Sequence, residues 1–391
     1  MITGRPRLND FQFLMREFTK LAPYNFIHAL RLPGPSDLSR WQNAVTESLR
    51  PLGIESVPDP IDQPADLETH LEAELHRPFS SKPVRFFVVN TNDGGHWFGI
   101  TLDHWFADDF SCRRLLQQIH SIYLGNASDT PVPVHSPVVQ RPRAWSVWGD
   151  WRSFIKQSVR LRRACRVSLH DPFDFKVGTF QVKLPPETLD PARKLAKANG
   201  GTLHDLFLAA TAQTFGSLCK GQSERDLIAI TSVMNARRFE PETRSDTFGL
   251  NLSQYIVTVR LPVAKSLGGL AGEIAQQTLP NKTSPGPDLM APTRFMWRLN
   301  FTRRSKATFF NRGAPMVAGL SNVDLTGSWI EQSEIADYRR VGPTGPIVPM
   351  VLMITTFRGR ILFDVTFRKT AFSRAEAERL VNDIVNRLPK S

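Results

Sequence analysis

A histidine followed four residues later by a carboxylate can carry proton-transfer chemistry, and this chain holds such a pair within Leu102-Asp103-His104-Trp105-Phe106-Ala107-Asp108-Asp109. His104 stands where an apolar, β-rich run ends, and Asp108 where a helix is expected to begin. A strand end holds an imidazole rigidly at a cleft. With an ordinary pKa of roughly 6.5, the ring could take a proton from an attacking amine or hydroxyl near neutral pH. Asp108 is close in sequence, but a turn can point it away, so that it fixes the loop through an arginine instead. Plainer roles exist for each residue. Asp108 or Asp109 could be the N-cap of the following helix, worth about 1 kcal/mol, and His104 a satisfied, half-buried histidine.

Other chemistries find no support. The chain has no Gly-rich phosphate loop, no paired CxxC, no HExxH and no GxSxG elbow. His70 and His76 are six residues apart, so on a helix they point in different directions and cannot share a metal; no metal site is expected. The three cysteines, Cys112, Cys165 and Cys219, are odd in number and widely spaced. They argue against a disulfide framework and for a reducing, cytoplasmic setting. Cys112 and Cys219 fall on apolar helix faces, where burial and not nucleophilic attack is the default.

The elements that must position His104 are legible. Pro83 to Asn90 and His96 to Leu102 are apolar and β-rich, and Asn92-Asp93-Gly94-Gly95 between them signals a hairpin turn. From Phe110 to Tyr123 the apolar residues Cys112, Leu115, Leu116, Ile119 and Ile122 share one helical face, and Gly125 provides a stop. Upstream, Leu38 to Arg50 reads as a helix capped by Ser36 or Asp37. Farther along, Asp190-Pro191 reads as an N-cap and first helical position, with Gly200-Gly201 ending that helix. Thr202 with Asp205 opens another helix, through about Cys219. Leu227 to Val233 reads as a buried strand, and Tyr255, Val257, Val259 and Leu261 alternate as a half-exposed one. Met350 to Phe357 and Ile361 to Phe367 form a hairpin about Arg358-Gly359. Ser373 and Glu376 box the last helix, to Leu388. Strands interspersed with helices make this an α/β or α+β protein.

The chain has 391 residues, which suits two domains or subdomains of roughly 150–200 residues each. The composition break at the Pro-rich stretch Asp129 to Pro142, followed by a basic, Trp-rich helix from Ala144, places the boundary near His170: residues 1–170 and 171–391. Hydrophobic residues make up 41% of the chain, enough for sizeable cores. No run approaches the roughly 20 apolar residues of a membrane span, and Met1 to Leu21 lacks the apolar centre of a signal peptide. The formal net charge of +12 is concentrated. Residues 141–170 hold eight Lys/Arg and one acid, net +7, and residues 291–312 hold six and none, net +6, leaving −1 for the remainder. A nucleic-acid role has only this charge in its favour, since no recognised binding module appears.

The sequence resembles the chloramphenicol acetyltransferase-like superfamily, which includes condensation domains of nonribosomal peptide synthetases and the HxxxD acyltransferases. Asp103 to Asp109, DHWFADD, fills the seven positions of the HHxxxDG motif. Pro78-Phe79 with Pro83-Val84-Arg85-Phe86 is similar to the strand leading to that motif. Gly201 to Ala210 is similar to the helix opening the second half, and Ser232 to Arg237 to a strand end closing on an arginine. Phe248-Gly249-Leu250-Asn251 resembles the FGN-type loop of that group, and Gly319-Leu320-Ser321-Asn322 its SN loop. Their order and spacing carry the resemblance over nearly the whole chain.

That resemblance implies two similar subdomains forming a pseudo-dimer, with a tunnel and active site between them. It implies transfer of an acyl group from a thioester, acyl-coenzyme A or a phosphopantetheinyl acyl carrier protein, to an amine or alcohol acceptor. No bound cofactor is implied, and a stand-alone, monomeric protein is expected. His104 matches the catalytic histidine and Asp108 the structural aspartate, for which Arg237, then Arg238, is the partner. Ser321 or Asn322, and less so Asn251, are candidate oxyanion donors; turn chemistry is their plainer role. Asp103 replaces the first histidine of the motif and Asp109 its glycine. Asp109, beside Trp105 at the implied tunnel, could narrow it, bind a cationic acceptor or signal altered chemistry; a solvent-facing N-cap is the alternative. A degenerate member that binds a carrier or partner protein without catalysis is the alternative function. For the basic face of Arg160, Arg162 and Arg163, four readings compete: a solvated helix surface, donor docking onto an acidic carrier, binding of coenzyme A phosphates, and contact with an anionic membrane.

Overall fold

The computed structural model describes residues 8–54, 66–80, 82–126, 144–219, 224–239, 247–284 and 288–389. The Pro-rich crossing expected over residues 129–142 lies outside them. In chain order the strands are β1 (Asn25–Leu32), β2 (Val84–Asn90), β3 (His96–Asp103), β4 (Val177–Lys183), β5 (Leu227–Asn235), β6 (Leu252–Arg260), β7 (Ala318–Asp324), β8 (Asp337–Val341), β9 (Met350–Phe357) and β10 (Arg360–Arg368). The helices that matter below are α1 (Asp10–Thr19), α2 (Leu38–Leu49), α3 (Leu67–His76), α4 (Asp109–Tyr123), α5 (Ala144–Leu161), α6 (Leu189–Ala198), α7 (Leu203–Leu218), α8 (Leu267–Thr283) and α9 (Met290–Arg298). No helix among the described residues is long and apolar enough to cross a membrane.

The chain parts into two compact units. One comprises residues 1–141, 235–252 and 327–343; the other comprises 142–234, 253–326 and 344–391. This differs from a single cut at residue 170. Helix α5 goes with the second unit, and the segment carrying Arg237 goes with the first.

The first unit holds an antiparallel sheet in the order β2-β3-β1-β8. The β2–β3 hairpin forms as the alternating residues and the Gly94 turn require, with Gly94 at φ 80°. Every residue of β3 is buried, so the strand that ends at Asp103 is anchored on both faces and flanked on both edges. Gly99 is needed there. A Cβ at this position would meet the Phe87 ring of the paired strand at 1.9 Å. Trp41 of α2 stacks between Phe98 of β3 and Tyr123 of α4, at 3.8 and 3.7 Å between ring centroids, and fastens both helices to the sheet.

The second unit holds a six-stranded sheet, β4-β10-β9-β7-β5-β6. β7 pairs in parallel with both β5 and β9, while β10 is antiparallel to β4 and β9. The β9–β10 hairpin turns at Arg358 and Gly359, both with positive φ, as a two-residue turn of the primed kind demands. Helix α7 carries the expected Thr202–Asp205 capping box, and the final helix the Ser373–Glu376 box. Phe207 and Phe215 of α7 are buried with Ile228, Ile230 and Phe363 of the sheet. One expected cap is displaced: α6 begins at Leu189 and not after Asp190, which falls in the first turn, where its charge suits the helix dipole.

Candidate active site

His104 follows the last residue of β3, and its backbone N–H donates to the Tyr24 carbonyl at 3.0 Å, extending the pairing one step beyond the strand. The half-buried imidazole stacks on Tyr24 (5.6 Å, 19°) and tilts against Phe26 (4.7 Å), both from the neighbouring edge of β1. Nδ1 lies 3.4 Å from the Ala107 carbonyl oxygen. A carbonyl only accepts, so the proton of that bond sits on Nδ1 and Nε2 carries the lone pair. Nε2 has no hydrogen-bond partner among the described residues, nor is it a fully buried atom left unsatisfied. Burial pulls the imidazole pKa below its ordinary value, against the opposing pull of the Ala107 carbonyl and the Asp108 carboxylate. The ring is therefore neutral at pH 7 with a basic nitrogen available.

Asp108 does not touch that ring. It caps α4 by accepting the Ser111 backbone N–H at 3.0 Å. Its other oxygen accepts from Arg237 Nη1 at 2.6 Å and from the Asn251 backbone N–H at 2.7 Å. Both expected roles, cap and arginine partner, are thus held by one carboxylate. The pair is shut off from water, with side-chain exposures of 0% for Asp108 and 2% for Arg237. Every remaining donor of the guanidinium is placed: Nε and Nη2 donate to the Thr247 carbonyl, and Nη2 donates also to Ser111 Oγ and the Gly249 carbonyl. Gly249, at φ 140°, occupies a backbone region that L side chains rarely enter. This Asp108–Arg237–Ser111–Gly249 network lies wholly within the first unit and fixes the loop that carries His104.

Asp109 was expected either at a tunnel wall or as a solvent-facing cap. It is neither a free carboxylate nor a cap: Asp108 caps the helix, and Asp109 is ion-paired with Arg113 one turn on and with Arg340 of β8 at 2.9 Å. His28 Nε2 of β1 lies 3.2 Å from the same carboxylate, and its Nδ1 is 2.5 Å from the Tyr338 hydroxyl. Burial and the charges of Arg340 and Arg113 hold His28 well below the ordinary histidine pKa, so it is neutral. Burial also lowers Arg113, to about 10. Asp109 thus neutralises the buried Arg340 and the half-buried Arg113. His28 and Arg340 are absent from the sequence reading, because no local spacing links β1 to the short strand β8.

Asp103, at the position of the motif's first histidine, accepts from Trp105 Nε1 at 2.9 Å and from the Thr19 hydroxyl at 3.2 Å. Burial raises its pKa to about 6 despite these bonds. Trp105 is pinned accordingly, with the Arg16 guanidinium 5.5 Å over its ring. The Asn251 side-chain amide donates to the Thr247 hydroxyl at 3.3 Å, bracing the arginine loop. Ser321 and Asn322 lie within strand β7 of the second unit, half-buried, so turn chemistry is not what selects them. Arg160 and Arg162 are exposed; Arg163 is engaged by Asp226, at 2.8 Å through Nε. Among the described residues no group of His, Cys, Asp and Glu could hold a metal ion.

A second histidine–serine pair does not make a second site. His204 Nε2 lies 3.0 Å from both Ser232 Oγ and the Tyr255 hydroxyl. Ser232 donates its own proton to the Leu320 carbonyl and is 1% exposed, so no substrate reaches it.

No protein-family model matches the sequence, and no curated protein matches it. Solved structures do match its fold. A cyclization-docking bidomain of the EpoB nonribosomal peptide synthetase from Sorangium cellulosum is 13% identical, covering 98% of this chain and 84% of that one at a TM-score of 0.72. A trichothecene 15-O-acetyltransferase from Fusarium sporotrichioides is 11% identical, covering 99% and 97%, also at 0.72. The X-domain from teicoplanin biosynthesis is 15% identical, covering 99% and 95% at 0.64. The two-sheet architecture and these likenesses agree: the chain has the chloramphenicol acetyltransferase-like fold that condensation domains and the trichothecene acetyltransferase share.

Proposed function

We propose that the protein is an acyltransferase that moves an acyl group from a thioester to an amine or hydroxyl acceptor, with His104 as general base. The observation that carries this reading is the contact of His104 Nδ1 with the Ala107 carbonyl at 3.4 Å, which assigns the tautomer. The Nδ1 proton is committed to the Ala107 carbonyl, and the Nε2 lone pair is unclaimed. In the reaction, Nε2 takes the acceptor's proton as the acceptor's nitrogen or oxygen attacks the thioester carbonyl carbon. The C–S bond then breaks, and the imidazolium returns the proton to the leaving thiolate. A positioned base of this kind contributes about a hundred- to ten-thousandfold. Holding the two substrates in line contributes through proximity. Ser321 and Asn322 are proposed as oxyanion donors on sequence resemblance. The shared fold of an acetyltransferase and of condensation domains supports the reaction class.

The test incubates the protein with acyl-coenzyme A or acylated carrier protein and a panel of amines and alcohols. Intact mass reports loss of the acyl group from the carrier, and product mass reports where it went. The reading predicts acceptor-dependent deacylation. Failure with both donor classes across the panel would remove it. A second reading, a binding domain without catalysis, draws on an X-domain of this fold that forms a complex with OxyB. It predicts stable capture of a carrier or partner protein with no turnover.

A further inference from the structure

Helix α5 turns an apolar stripe to solvent. Trp148, Ile155 and Val159, at spacings of seven and four on one helical face, are 82%, 56% and 57% exposed. A helix normally buries such a stripe. Basic residues interleave with it: Arg152 falls within the stripe, and Lys156, Arg160 and Arg162 flank it. All four are exposed and none is ion-paired among the described residues. Helix α9 adjoins α5. Trp151 and Phe295 meet edge-on at 5.5 Å, and the Asp288 backbone N–H donates to Asp150 at 3.0 Å. The α9 segment repeats the pattern, with Phe295, Leu299 and Phe301 at 52%, 50% and 88% exposure. Here too basic residues accompany the apolar ones and no acid occurs from residue 291 to 312.

We propose that this face of the second unit docks on the surface of an anionic lipid bilayer, with Trp148 and Phe301 entering the headgroup layer. The side chains are exposed, Trp148 and Phe301 by more than four-fifths, and they are aromatic and aliphatic among cations. Protruding aromatics set among Lys and Arg are the composition of interfacial membrane contacts. An acidic protein partner would match the charge, but it would leave the protruding Trp148, Ile155 and Phe301 without the pocket that such anchors fill at protein interfaces. Binding to anionic headgroups through several separate cations is additive and screened by salt. The face lies apart in sequence from the His104 loop, and its test does not depend on turnover.

The experiment is co-sedimentation of the full chain with vesicles of phosphatidylcholine alone or mixed with phosphatidylglycerol, at low and high salt. The proposal predicts partitioning onto the mixed vesicles, little onto phosphatidylcholine, and loss on adding salt. Replacing Arg152, Lys156 and Arg160 together by Gln removes three surface cations and should lower partitioning about a hundredfold, from ~1 kcal/mol per basic residue. Trp148→Ser with Phe301→Ser should lower it at least tenfold while leaving acyl transfer and melting temperature unchanged. No binding to the mixed vesicles at low salt by folded protein would overturn the proposal. So would binding indifferent to the Trp148 and Phe301 changes. Capture of an acidic carrier protein by this face, with vesicles refused, would also overturn it and return the charge to donor docking.

Discussion

The two units each place a histidine beside a helix N-terminus whose carboxylate is neutralised by a distant cation, yet they leave the imidazoles in opposite states. In the first unit, Asp108 caps α4 and pairs with Arg237 at 2.6 Å, and His104 keeps Nε2 free. In the second, Asp205 boxes α7 with Thr202, pairs with Lys282 at 2.7 Å and accepts the Thr278 hydroxyl. There His204 gives Nε2 to Ser232 and Tyr255. Burial would raise Asp205, but its bonds to Lys282 and the threonines outweigh that and hold it low. Burial takes His204 down to about 4. The carboxylate–cation device is therefore a way of fastening a helix start in either unit. What separates a site from a strut is access to the nitrogen left over: His204 Nδ1 is buried without a partner, whereas His104 Nε2 is not sealed in the interior.

The largest predicted effect comes from breaking the fastening. Arg237→Ala leaves the Asp108 carboxylate without its counter-ion and takes both guanidinium donors from the Thr247 carbonyl in a dry interior, and should cost about 3–5 kcal/mol, read by urea unfolding. If the buried charge is the cause, Asp108→Asn with Arg237→Met should recover part of the loss. An equal or larger loss in the double variant would show that shape, and not charge, sets the cost. Asp109→Gly, which restores the residue usual in the motif, should also destabilise. Arg340 is fully buried and loses the Asp109 carboxylate. The expected loss is smaller, about 2–3 kcal/mol, because the Asp109 carboxylate keeps some water.

The pH dependence sharpens the same contrast. His28, His70, His96, His104, His120 and His204 are all held below the ordinary histidine pKa by burial. Unfolding at pH 5–6 therefore takes up protons, and stability should fall as pH drops below roughly 6.5. Asp103, raised to about 6, and Asp150, also raised by burial, work the other way, but they are two groups against six. Melting temperature against pH, with proton uptake measured calorimetrically in two buffers, checks the sign. For catalysis, His104 must be neutral, so kcat/KM should be flat near pH 7 and show its acid limb below 6.5. A limb centred above 6.5 would assign the base to another group.

Much of this was legible in the residues. The β2–β3 hairpin, the strand end at His104, the Thr202 capping box and the Arg237 partner of Asp108 each follow from local patterning or from motif resemblance. Strand β1 was not, because its residues are buried on both faces and show no alternation of apolar and polar side chains. The partners of Asp109 were hidden for a related reason. His28 and Arg340 come from β1 and β8, adjacent in the sheet but some 310 positions apart in the chain, and no local spacing reveals a pairing set by sheet order. The roles of Ser111 and Thr247 were not legible because a hydroxyl and a backbone carbonyl carry no motif.

The most direct test compares His104→Ala and His204→Ala side by side, in acyl transfer per folded molecule and in melting temperature. His104→Ala should lose transfer by about a hundred- to ten-thousandfold with its melting temperature nearly unchanged. His204→Ala removes a partner from the buried Tyr255 and Ser232 hydroxyls, and should lose about 1–3 kcal/mol of stability while its folded fraction keeps transferring. Full transfer by His104→Ala, or loss of transfer by well-folded His204→Ala, would contradict the assignment of the base.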